Sequence, residues 1–83
     1  MEENTAYFTA QTDSAKTIRE KLTAVYDALE EKDYDAVNQI VGYLITEDPT
    51  YITSNRNARA IMCSMDRDDI LELLLRNFLE DKD

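Results

Sequence analysis

Eighty-three residues make one domain with a thin core, because a chain of this size buries only somewhat over half of the surface it exposes when unfolded. Eighteen acidic against nine basic residues give a net charge of -9, and the basic residues are scattered from Lys16 to Lys82 without an adjacent pair, which argues against a nucleic-acid partner. The single cysteine, Cys63, excludes an intramolecular disulfide, MEENTAYFTAQTD lacks the basic start and apolar run of a secretory signal, and no apolar run approaches the roughly 20 residues of a spanning helix, so the expected location is the cytoplasm without membrane insertion.

Residues 1–12 carry neither a helical nor a strand period and read as a flexible tail holding Thr5, Thr9 and Thr12. From residue 13 a single helical domain is expected to continue to residue 83. Asp13 or Ser14 can cap a first helix over about 14–31, in which Ile18, Leu22, Val25, Tyr26 and Leu29 form one apolar stripe. After a short polar link that favours an antiparallel hairpin, Asp35 caps a second helix with Val37, Ile40, Val41 and Leu44 inward.

The stretch NQIVGYLITEDPTYI contains the only glycine and the only proline of the chain. Gly42 inside a helix costs roughly 0.5–1 kcal/mol relative to alanine, which implies a compensating close approach, with another helix backbone as the usual candidate. Pro49 stops the second helix and can open a short helical turn capped by Asp48, aiming Tyr51 and Ile52 at the core.

A third helix is expected from Ser54 or Asn55 to about residue 64, with Ala58, Ile61, Met62 and Met65 at helical spacing. Asp66 caps the last helix and Asp68 and Asp69 suit the positive end of its dipole. Ile70, Leu71, Leu73, Leu74, Leu75, Phe78 and Leu79 wrap more than one face of that helix, so another surface is needed to cover them. A homodimer supplies one, with Gly42, Leu71, Leu74, Leu75 and Phe78 as candidate interface residues. The fold class is therefore all-α: a bundle of four main helices plus a short helical turn, with no strand signal.

Catalytic chemistry finds little support. The chain has no histidine, and it lacks a phosphate loop, a nucleophile elbow or a zinc-helix motif. Asp66, Asp68, Asp69 and Glu72 could gather a hard metal, but acidic residues in a first helical turn are explained by the dipole, and the calcium-loop spacing is missing. Cys63 reads as packing rather than a reactive thiol, and Met62 and Met65 as core. Neither a metal nor a cofactor is expected. Arg56 and Arg59, three apart on the expected third helix, either converge on an anion or form a surface pair balanced by Asp66 or Asp68. Thr5 is either an ordinary tail threonine or an accessible phosphoacceptor.

The run AVYDALEEKDYDAVNQIVGYLITEDPTYI, then NAR at 57–59 and DRDDILELLLRNFL, closely resembles the IreB and ReoM family of small regulators from Gram-positive bacteria. The resemblance spans about residues 4–80. It implies a non-enzymatic helical homodimer whose tail is phosphorylated on threonine by a membrane Ser/Thr kinase with extracellular PASTA domains and dephosphorylated by the cognate phosphatase. It also implies control of peptidoglycan precursor supply through ClpCP-dependent degradation of MurA. Carried over by position, the phosphoacceptor matches Thr5 in ENTAYF, and family surface arginines match Arg59 and Arg67. The chain departs from the family pattern at Thr53 and Ser54 and at 62–64, where proline and basic residues are common.

Overall fold

A computed structural model describes residues 15–80 of the chain. Its helices are α1 (Glu2–Glu31, described from Ala15 onward), α2 (Ala36–Thr46), α3 (Ala58–Cys63) and α4 (Arg67–Glu80), with 3-10 turns at Pro49–Tyr51 and Asn55–Asn57. No strand occurs among the described residues, and the chain is all-α. The tail at 1–12, its boundary with the domain and Thr5, Thr9 and Thr12 lie outside the described residues.

The inward face of α1 is Ile18, Leu22, Val25, Ala28 and Leu29. Tyr26 is 40% exposed rather than part of that face: it sits about 100° round the helix from Val25, at the edge of the stripe. The helix ends in paired bonds from Tyr34 N to Leu29 O (3.1 Å) and Asp33 N to Glu30 O (2.9 Å), with Asp33 left-handed at φ 66. That six-to-one and five-to-two pattern satisfies the last carbonyls and reverses the chain into α2.

Asp35 caps α2 as expected, its carboxylate accepting from Asn38 N at 3.3 Å and Asn38 Nδ2 at 3.1 Å. The face that α2 buries differs from the expected one. Ala36, Ile40, Tyr43 and Leu44 pack on the core, whereas Val37 and Val41 are 60% and 44% exposed. Apolar residues cover a wide arc of α2, so spacing alone leaves the inward direction open by about one residue, and burial of the large Tyr43 ring decides it.

The backbone leaves α2 through Glu47, left-handed at φ 64, whose N–H donates to Tyr43 O. Asp48 then caps the turn opened by Pro49, accepting from Thr50 N (3.0 Å) and Thr50 Oγ1 (2.8 Å). Ile52 is fully buried, as the proline corner requires. Tyr51 lies over Gly42: a Cβ on that glycine would stand 2.5 Å from Cδ1 and Cε1 of the ring. The compensating approach at Gly42 is thus an aromatic side chain of the same chain, not a second helix backbone.

The third helix is shorter than expected. It starts at Ala58, because Arg56 (φ 55) and Asn57 (φ 63) are left-handed and break the run that begins at Asn55. Ala58, Met62 and Met65 are buried, with Ile61 packed beside them. In α4 only Ile70 is fully buried and Leu73 partly so, while Leu71, Leu74, Leu75, Phe78 and Leu79 are exposed. Asp68 and Asp69 occupy the first turn, and among the described residues no cluster of three or more carboxylate or thiol groups is placed to hold a metal ion.

Candidate functional site

Each of the three arginines singled out from the sequence holds the end of a preceding element. The last turn of α1 is acidic, with Glu30 and Glu31 at the negative end of the helix dipole and no base within the turn itself to balance them. Arg56 supplies that balance from the far side of the sequence, its Nε 3.1 Å from Glu31 Oε1. Asn55 Nδ2 joins it, donating to Glu31 Oε1 at 2.9 Å and to Ala28 O at 3.0 Å. The bond from Asn55, aided by the Arg56 charge, holds the Glu31 carboxyl below its ordinary range.

Arg59 donates from Nε to Ile52 O at 2.9 Å, fixing the chain where it leaves the proline corner. Its charge adds to the two bonds from Thr50 that hold the Asp48 carboxyl low. Arg67 reaches back to the end of α2, donating to Leu44 O at 2.8 Å and pairing with Glu47 Oε1 at 3.2 Å. A guanidinium suits this position because its planar fork serves a carbonyl and a carboxylate together.

Neither arrangement read from sequence for Arg56 and Arg59, convergence on an anion or a surface pair balanced by Asp66 or Asp68, is present in this conformation. Arg56 belongs to the 3-10 turn and Arg59 to α3, so the two do not share a helix face, and neither is balanced by Asp66 or Asp68. Glu31, the Ile52 carbonyl, the Leu44 carbonyl and Glu47 are the partners that sequence reasoning missed. The unbalanced acidic end of α1 was the available signal for the first of them.

Two apolar faces stand exposed. On α4, Leu71, Leu74, Leu75 and Phe78 are 42%, 43%, 57% and 83% exposed, on a sector that adjoins the one that Ile70 and Leu73 present to the core. On α2, Val37, Val41 and Ile45 recur every four residues and form a second stripe. The α2 stripe was not foreseen. Gly42, the fifth candidate interface residue, is covered in part by Tyr51.

Cys63 is exposed rather than packed, and its Sγ accepts from the part-buried hydroxyl of Tyr43 at 3.8 Å. Burial, with that bond, pushes the Tyr43 phenol above its ordinary value. Among the described residues no helix is long and apolar enough to cross a membrane.

Comparison with known proteins gives a match to the IreB regulatory phosphoprotein family over residues 3–80. A UPF0297 protein of Lachnoclostridium phytofermentans is 46% identical over 77 residues, covering 93% of this chain and 88% of its own. Another UPF0297 protein, from Acetivibrio thermocellus, is 44% identical over 77 residues, covering 93% of this chain and 86% of its own.

Proposed function

Since this chain belongs to the IreB family of regulatory phosphoproteins, we propose that it is a non-enzymatic phospho-switch controlled through Thr5. The acceptor is a substrate of a PASTA-domain Ser/Thr kinase, and the cognate phosphatase resets it. The regulated process is peptidoglycan precursor synthesis, through ClpCP-dependent turnover of MurA, and with it tolerance to cell-wall antibiotics. The observation that carries this reading is the family match, which runs through the segment containing Thr5.

The physical mechanism is local electrostatics. A phosphothreonine adds about 1.5–2 negative charges to a chain already at -9, which favours release from an acidic partner and capture by a basic one. Arg56, Arg59 and Arg67 are the candidate partner contacts, and their exposed edges offer donors beyond those used within the fold. The working unit is a cytoplasmic homodimer in which the α4 sector of Leu71, Leu74, Leu75 and Phe78 meets its counterpart. Covering such side chains stabilises by about 1.5–3 kcal/mol for each one fully buried.

The test is mass spectrometry of the full chain after incubation with the cognate kinase domain, beside Thr5→Ala. One phosphate on the wild type that vanishes in the variant is expected. A phosphate that persists in Thr5→Ala moves the acceptor to Thr9 or Thr12. No phosphate at all leaves the second reading, supported by the two exposed apolar stripes: an acidic dimeric adaptor that binds a protein partner independently of phosphorylation.

A further inference from the structure

Residues 54–58 adopt a backbone that their own sequence does not ask for. Ser54 (φ -84, ψ -3) and Ala58 (φ -60, ψ -38) are both right-handed, yet Arg56 (φ 55, ψ 29) and Asn57 (φ 63, ψ 21) between them are left-handed. The stretch SNRNARAIMC contains neither glycine nor proline, the residues that ordinarily demand such a break. Asparagine tolerates the left-handed region through its short polar side chain, but arginine has no such excuse.

The force that holds the break comes from α1. Glu31 Oε1 forms an ion pair with Arg56 Nε at 3.1 Å and accepts from Asn55 Nδ2 at 2.9 Å, and Ala28 O accepts from the same amide at 3.0 Å. Ile52, fully buried just before, anchors the segment on its other side. Two residues thus separate the observed form from an unbroken helix over 54–63. In that helix Arg56 would stand one turn before Arg59, at the three-residue spacing that places side chains on one face.

We propose that Glu31 is a latch with two positions. Closed, as observed, it keeps Arg56 on the end of α1 and apart from Arg59. Open, residues 54–57 join α3, and Arg56 and Arg59 become a paired-guanidinium site for a carboxylate or phosphate group on a protein partner. A partner anion that competes with Glu31 for Arg56 favours the open form, because it binds that form alone. The use of the latch rests on Arg56 and Arg59 being partner contacts. Its existence does not, and the experiment reads backbone conformation only, so its failure is distinct from failure of the kinase test.

That experiment is NMR on the isotope-labelled full chain at neutral pH, reading 13Cα and 13Cβ shifts and medium-range proton contacts over 54–58. Wild type should show left-handed shifts at Arg56 and Asn57. Glu31→Gln should raise the ratio of helical to left-handed form by up to about fivefold, the upper range for an exposed ion pair. Glu31→Gln/Asn57→Ala should make the helix dominant, with contacts linking Ser54 to Asn57. Shifts that stay left-handed in both Glu31 variants, or that move to coil values without helical contacts, overturn the latch. The exposed single variant Glu31→Gln decides the matter if the double variant does not fold.

Discussion

Gly42→Ala sets two effects of opposite sign against each other. In an exposed helix interior the added methyl stabilises by about 0.5–1 kcal/mol, through lower backbone entropy in the unfolded chain. Here the same methyl would stand 2.5 Å from two ring atoms of Tyr51. Carbon atoms pack best at about 3.5–4.0 Å, so the ring must retreat by roughly 1 Å or more. It cannot do so freely, since Tyr51 closes a turn that Pro49 opens and Asp48 caps, and its carbonyl accepts from Gln39 Nε2 at 2.9 Å. Overpacking of this kind costs about 1–3 kcal/mol, which exceeds the propensity gain. Gly42→Ala should therefore destabilise by about 1 kcal/mol net, a fall of roughly 4–8 °C in Tm for a domain of this size. In a Tyr51→Ala background the clash is gone, and the same substitution should stabilise. Thermal and urea denaturation of the four chains, followed by circular dichroism at equal protomer concentration, gives the cycle. Stabilisation by Gly42→Ala in both backgrounds would refute the assignment of Tyr51 as the reason for the glycine.

Arg67→Ala leaves the Leu44 carbonyl without its donor and should cost about 1–2 kcal/mol in urea denaturation. Arg67→Lys should restore less than half, because one ammonium cannot reach the carbonyl and the Glu47 carboxylate as a fork does; full recovery would mean that charge alone matters. Glu31 and Asp48 both have carboxyl pKa values held below the ordinary 4.5 and 3.8, so the unfolded chain binds the proton first as pH falls. Their stabilising contributions are complete above those values and disappear as pH drops through the lower folded ones. The Tm deficits of Glu31→Gln and Asp48→Asn relative to wild type should accordingly be largest near pH 7 and shrink toward pH 3, and deficits independent of pH would exclude this linkage. On the proposed α4-to-α4 homodimer, wild type should sediment as a dimer and Leu75→Asp/Phe78→Asp, which places charges on exposed positions of α4, as a folded monomer; a monomeric wild type would refute the dimer, and an unchanged dimer in the variant would put the interface elsewhere, with the α2 stripe next in line.

What the sequence determined by itself is local. Asp35 and Asp48 cap where their side chains can reach nearby backbone amides within two or three residues, and Pro49 opens a turn through its own fixed φ. The all-α class and the helical stripe of α1, apart from Tyr26 at its edge, follow from a local 3.6-residue period. The excess of apolar side chains on α4 was legible as composition, and the folded chain leaves it exposed. The tertiary structure decided everything that depends on residues distant in the chain. Tyr43 rather than Val41 turns inward because the wide apolar arc of α2 had several acceptable orientations and the core accepted the largest ring. Tyr51 accounts for Gly42 across nine positions of sequence. The break at Arg56 and Asn57 runs against local preference and exists where Glu31, 25 residues earlier, offers a charge. Arg56 and Arg67, read from sequence as surface and partner-facing groups, close the ends of α1 and α2, because helix termini leave carbonyls and partial charges whose partners can come from anywhere in the fold.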